Sequence, residues 1–314
     1  MSQSIRKSVM QASKQWIANF NEGNVQACIK RYMANASMSV TPFGKFDGIN
    51  AIGEFWQQFA TKKPTNLVYR NVQIKVLNER QAVLSANWTM NIASGFISKE
   101  LWTLAGDGKW YLQEDDFSVL SQHDSPIPHS KRTALVLVDL QNDYFENGRF
   151  ELENTYAVSV QAKQLLTTFR QHEMPVIHIQ HIFESEEAPF FAPNTSGADI
   201  AKHLAPLANE PVIVKHEIDS FSNTSLEQTL VELGVEKLVV VGAMAQACVQ
   251  TICRSATLKG FQCDVVSDAI AAPSLTFQDE SFTGRQLVAA NLLSLSFGGA
   301  EITSTQECIS RISS

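Results

Sequence analysis

The chain has 314 residues, with 25 Lys+Arg against 32 Asp+Glu, a net charge of −7, 44% hydrophobic and 18% charged residues. This is ordinary globular composition, which excludes wholesale disorder, collagen-like repeats and a coiled-coil rod. The acidic balance and the lack of a basic stripe exclude a general nucleic-acid binder, and no apolar run has the roughly 18 residues of a membrane span. The first residues, MSQSIRKSVMQASKQW, have no long apolar core or small-residue cleavage site. The expectation is a cytoplasmic protein without nucleic-acid or membrane partners. Five cysteines, odd in number and without a CxxC pair, read as reduced thiols rather than a disulfide framework or zinc site.

Residues 1–125 hold 13 basic against 10 acidic residues, and the remainder 12 against 22. All five Trp lie between 16 and 110, and all seven His at or beyond 123. That segregation predicts two domains, 1–120 and 132–314, joined by a linker over 121–131 with two prolines. The first part reads as helices followed by strands. A helical stripe (Val9, Trp16, Ile17, Phe20) covers 5–21, short helices follow over 24–33 and from Gly48, and β segments fall at 67–77, 81–92, 95–105 and 109–119. This predicts an α+β domain with a curved antiparallel sheet. Asp115 and Asp116 read as turn or edge residues.

After the linker the pattern alternates. β-branched runs at 133–138, 175–180, 211–215, 237–241, 262–267 and 300–303 are separated by helical segments at about 155–172, 225–234, 246–259 and 283–296. Near-continuous apolar strands between helices predict a parallel sheet covered on both faces, an α/β three-layer sandwich. Ligands in such sheets bind beyond the carboxyl ends of the strands.

Three strand ends carry reactive groups: Asp139, Lys215 and Cys248. Val249, Ile252, Cys253 and Ala256 form a buried helix face, so Cys248 is expected in that helix's first turn. There the dipole and free N–H groups favour a thiolate and an oxyanion. The plainer alternatives are a core cysteine, a structural ion pair and a snorkelling lysine. An isolated carboxylate at the end of an apolar strand is costly, and Lys215 offers it a partner. Asp143 reads as a turn stabiliser, and the loop 184–198, with Phe190 and Phe191, as a candidate lid.

Residues of about 130–310 resemble the isochorismatase-like cysteine hydrolases. The likeness rests on VDLQNDY at 138–144, on Val214-Lys215 with Phe221, Thr224 and Leu226, and on GAMAQACVQTICRSA at 242–256. The resemblance implies a six-stranded parallel sheet of order 321456 and a catalytic triad of Asp139, Lys215 and Cys248. It also implies a cis peptide between Ala243 and Met244, and an oxyanion hole from the N–H groups of Met244 and Cys248. With strand-end position it further suggests a substrate crevice lined by Gln141, Tyr144, Phe145, His181, Phe221 and Gln246. Many relatives have Thr where this chain has Ala245. The metal-binding Asp-x-His stretch of nicotinamidases is missing, since the segment reads His178-Ile179-Gln180-His181. A zinc pair of His178 and His181 is therefore disfavoured, and no metal or organic cofactor is expected.

Because the thiol is present, the implied activity is hydrolysis of an amide, lactam or carbamoyl C–N bond of a small molecule through a thioester. The alternatives are an isochorismatase-type vinyl-ether hydrolase and a non-catalytic binding protein. Residues 1–120 resemble, more loosely, the NTF2-like, SnoaL-type α+β cone. That likeness rests on the N-terminal helix, on Gly48, Ile52, Phe55 and Trp56, and on the strand Gly108-Lys109-Trp110-Tyr111. It implies an apolar pocket and a binding or dimerising role, hence a homo-oligomer. No histidine occurs before 123, which removes a common base for activity in this domain. Dehydration or isomerisation of a polyketide-like ring there is the remaining rival.

Overall fold

A computed structural model describes residues 2–123 and 132–313, so most of the expected linker, 124–131, lies outside the described residues. The described chain forms two compact units, one of residues 2–123 with 231–234 and one of 132–230 and 235–313. No helix among the described residues is long and apolar enough to cross a membrane.

The first unit begins with α1 (Ser2–Asn21), α2 (Val25–Ile29), β1 (Tyr32–Thr41), β2 (Gly44–Asp47) and α3 (Gly48–Ala60). It continues with β3 (Val68–Asn78), β4 (Gln81–Thr89), β5 (Ala93–Leu104) and β6 (Trp110–Gln122). Helix α1 buries Val9, Trp16 and Phe20, the helical spacing that predicted it. Asn24 caps α2 by accepting from the Ala27 N–H. The sheet order is β2-β1-β6-β5-β4-β3. Strands β1 and β2 escape the sequence reading, and β1 runs parallel to β6, so the sheet is mixed rather than antiparallel. The reason is local: YMANASMSVT contains one β-branched pair at its end, and small polar residues dilute its alternation. Its buried residues are nonetheless Tyr32, Ala36, Met38 and Val40.

Asp115 also departs from its expected place. It is neither turn nor edge but a buried position of β6, directly opposite Glu100 of β5. The alternation of β6 turns it inward, and the Tyr32 hydroxyl donates to it.

From residue 132 the chain forms β7 (Thr133–Val138), α4 (Thr155–Gln171), β8 (Val176–His181), β9 (Val212–Lys215) and α5 (Leu226–Glu232). Then follow β10 (Lys237–Ala243), α6 (Gln250–Leu258), β11 (Gln262–Ala271), β12 (Leu275–Phe277) and β13 (Glu280–Phe282). Last come α7 (Gly284–Phe297), β14 (Glu301–Thr303) and α8 (Thr305–Ser313). The main sheet has order β14-β11-β10-β7-β8-β9, all parallel, which is the expected 321456.

Alternation splits the strand residues between two faces. Leu135, Leu137, Val239 and Val241 pack with Leu165, Leu166 and Phe169 of α4 and Cys308 of α8. Leu238 and its neighbour Cys263 face the other way, where the Cys263 thiol meets Cys253 O of α6. Helices thus cover both faces. The β12–β13 hairpin and α8 lie beyond the sequence reading.

Candidate functional site

The site lies where β7, β8, β9 and β10 end together. Gly242, at φ +122°, lets β10 press against β7: a Cβ there would lie 2.1 Å from Val138 O. Asp139 follows immediately, itself at φ +50°, with its N–H bonded to Ile179 O at 3.1 Å. Lys215 closes β9 in register with His181 on β8. The Ala243–Met244 peptide is cis, where the resemblance put it. Residues Ala245–Val249 then form a π-helical turn leading into α6. Cys248 sits in that wide turn rather than in the first turn of the α-helix. The N–H groups of Ala247 and Val249 both donate to Met244 O.

The geometry centres on one ammonium. Lys215 Nζ lies 3.0 Å from Asp139 Oδ2, 3.0 Å from Cys248 Sγ, 3.1 Å from His181 Nδ1 and 3.1 Å from Glu217 O. Asp139 and Lys215 are wholly buried and Cys248 is 3% exposed. Two opposite charges buried together must compensate each other, because either alone would cost several kcal/mol.

The protonation states follow from this packing. Burial raises the Asp139 carboxyl above the ordinary range, with Lys215 and the Cys248 hydrogen bond opposing. Burial alone would lower Lys215, but Asp139 and Cys248 outweigh it and raise it. The Cys248 thiol is pushed up to about 12, by burial first and then by Asp139, against the pull of Lys215. Burial and the adjacent carboxylate thus favour the protonated form of the Cys248 thiol, whereas the sequence led us to expect a thiolate. Burial and the Asp139 carboxylate raise the thiol, against the pull of Lys215. Burial and Lys215 lower His181 to about 4, so its ring is neutral. Since Nδ1 faces a donor it must accept, which leaves the proton on Nε2, a buried atom with no partner.

Of the residues expected to line a crevice, the structure gathers some and not others. Tyr144 is buried, with its ring 4.5 Å from Phe191, and Asp139 and Cys248 add to the burial that raises its phenol. His181 joins the cluster directly. Gln246 is half-buried, its Nε2 3.7 Å from Met244 Sδ and its Oε1 without a partner. The other three make contacts of their own. Gln141 is fully buried and spends its amide on His181 O, Ala198 O and the His181 N–H, clamping β8. Phe145 packs edge-on against His203, and Phe221 stacks on Phe261. Position after a strand end places a residue near the crevice, but the loop's own packing decides where the side chain turns.

Asp143 does more than hold one turn. Its carboxylate accepts from the N–H of Phe191 at 2.7 Å and of Arg149 at 3.1 Å, joining two loops. Phe191 is thereby buried. Phe190 packs against Phe150, Phe183 and Tyr144 at 4.6–5.7 Å, an aromatic layer on the loop expected to act as a lid.

The metal question is answered by charge. Candidate ligand atoms of Asp139, His181 and Cys248 lie within 4.8 Å of one another. The Lys215 ammonium already sits within 3.1 Å of all three residues, so a divalent cation there would meet a positive charge. His178, three residues from His181 along a strand, points to the opposite face. It bonds Glu210 at 2.9 Å, which Arg170 grips at 2.7 Å through two nitrogens. It forms no pair with His181.

The sequence profile of the isochorismatase domain matches residues 133–296, the sheet and strand ends just described. The chain belongs to the isochorismatase family. An uncharacterised family member of Bacillus subtilis, YddQ, is 41% identical over 174 residues, 55% of this chain and 97% of that protein. The secreted isochorismatase effector Isc1 of Verticillium dahliae is 34% identical, over 44% of this chain and 72% of its own. Among solved structures, an isochorismatase-hydrolase structure from Oleispira antarctica superposes with a TM-score of 0.56 at 38% identity, covering 59% of this chain and 99% of its own. More distant isochorismatase relatives are named nicotinamidase 3 of Arabidopsis thaliana, streptothricin hydrolase of Streptomyces noursei and N-carbamoylsarcosine amidase of Arthrobacter. A further Arabidopsis relative bears the name probable inactive nicotinamidase.

Proposed function

We propose that this isochorismatase-family hydrolase cleaves a C–N bond of a small amide, lactam or carbamoyl compound, with Cys248 as nucleophile. The observation that carries this is the buried ammonium of Lys215 touching both Asp139 and the Cys248 sulfur. The names of three relatives, all C–N hydrolases, support it.

In this reading Asp139 takes the thiol proton as Sγ attacks the carbonyl carbon. Lys215 offsets the negative charge that passes from carboxylate to thiolate. The N–H groups of Met244 and Cys248 receive the oxyanion. Collapse of the tetrahedral adduct breaks the C–N bond, and the Asp139 carboxyl returns its proton to the leaving nitrogen. The product at this stage is an amine (or ammonia) and an acyl thioester on Cys248. Water, deprotonated by Asp139, attacks the thioester, and the thiol leaves with that proton. A raised Asp139 pKa suits both duties, because the same group must accept and return a proton. His181, neutral and accepting from Lys215, acts as a positioning residue.

For the first unit we propose an NTF2-like, SnoaL-type binding module, supported by its mixed sheet and an aromatic cavity of about 440 Å³ lined by its residues. The test of the main reading is a panel of amides, lactams and carbamoyl compounds scored by product mass. Cys248→Ala should lose at least about a thousandfold in kcat. Equal turnover by that variant, or cleavage confined to vinyl ethers, overturns it.

A further inference from the structure

The first unit's cavity is lined by aromatic rings. Trp16 lies 5.3 Å from Trp56, Trp56 stacks on Phe117 at 6.0 Å, and Trp88 meets Phe117 edge-on at 6.1 Å. Phe55 and Phe59 extend the wall. Asp115, only 4% exposed, also lines this cavity. Glu100, 3% exposed, stands directly opposite it across the strands. Two carboxyls paired in this way repel, and apolar surroundings sharpen the repulsion.

The neighbouring donors are already committed to this acid pair. The Tyr32 hydroxyl donates to Asp115, and Trp56 Nε1 donates to the Tyr32 oxygen at 3.2 Å. Tyr69 and Trp102 donate to the two Glu100 oxygens at 2.9 and 2.8 Å. All four are neutral, so they disperse negative charge without cancelling it. None of these four donors is positively charged, and the walls are aromatic rings, whose faces attract cations. A ligand that only accepts hydrogen bonds would compete with the acids for donors already in use.

We propose that this cavity binds a small apolar organic cation, held by the ring faces and countered by Asp115 with Glu100 behind it. This deepens the reading of the first unit as a binding module and is independent of the chemistry at Cys248. The charge state of Asp115 then sets the affinity. Burial pushes Asp115 to about 7, with Tyr32 opposing and Asp116 adding to it. Burial and Asp115 push Glu100 to about 8. The other titratable groups around the pair are Tyr32 from β1, Tyr69 from β3 and Cys28 from α2, all shifted upward and uncharged at neutral pH. Glu54 and Lys62, which also line the cavity, carry opposite charges.

The test uses the full chain and its own tryptophans, all five of which lie in this unit. The probes are benzyltrimethylammonium, whose charge is permanent, and neopentylbenzene, its neutral isostere. At pH 8.5 the cation should perturb the fluorescence saturably and bind at least tenfold more tightly than the isostere. Its affinity should fall at least tenfold at pH 5.5, as the acids take up protons that the probe cannot. Asp115→Asn should reproduce that loss at pH 8.5 while Cys248-dependent hydrolysis is unchanged. Should that variant fail to fold, the pH series on the native protein decides. Equal or tighter binding of the isostere overturns the cation and leaves the binding module standing. Failure of both probes overturns both, and a pH-independent affinity overturns the role of Asp115.

Discussion

Lys215 is the residue on which the hydrolase site turns. Its ammonium has three protons and faces a carboxylate, a sulfur, an imidazole nitrogen and a carbonyl. Removing it by Lys215→Met leaves Asp139 buried and unpaired, which should cost about 3–5 kcal/mol in a denaturant titration of the second unit. The pair Asp139→Asn with Lys215→Met should recover much of that stability and none of the hydrolysis. If the single Lys215 variant is as stable as the parent, the two groups are not coupled as described. Sequence alone made the trio legible, because its members lie at or shortly after the ends of apolar strands, and strand ends converge. It could not supply the protonation of Cys248, which depends on how deeply the sulfur is buried beside Asp139. Nor could it show that Gln141, Phe145 and Phe221 turn to structural duties, since those turns are set by neighbours distant in sequence.

At the scale of elements, strand ends deliver the chemistry and one glycine lets two of them close. Gly242→Ala would drive a methyl group into Val138 O, a backbone atom that cannot yield, at a φ that L-residues rarely adopt. We expect a loss on the order of 3 kcal/mol in the second unit and loss of hydrolysis. A variant with native stability and turnover would show that β7 and β10 separate freely there. The parallel sheet was readable because its strands are continuous runs of Val, Leu and Ile. Strand β1 was not, because its Ala, Asn and Ser positions lack a β signature and it is held by tertiary pairing to β6. The π-turn at Ala245–Val249 also escaped the reading, since its apolar spacing matches that of the α-helix it opens.

The whole molecule joins two units whose stabilities should answer pH differently. Glu100 and Asp115 have folded values of about 8 and about 7, above their ordinary 4.5 and 3.8. The folded first unit therefore holds their protons more tightly than the unfolded chain does. That contribution is complete below about pH 4 and is lost as pH rises through 7 and 8. Because every tryptophan lies in this unit, the midpoint of Trp-detected unfolding should fall between pH 5 and pH 9. A midpoint that rises over that range would contradict the buried acid pair.

In the proposed reaction the buried Cys248 sulfur carries the acyl group during turnover. Rapid acid quench of the enzyme with a hydrolysed amide, followed by peptide mass mapping, tests it directly. The acyl mass should appear on the peptide bearing Cys248 and on no other cysteine, with no such adduct in Cys248→Ala. Acyl mass on a different residue, or steady turnover by Cys248→Ala, would contradict it.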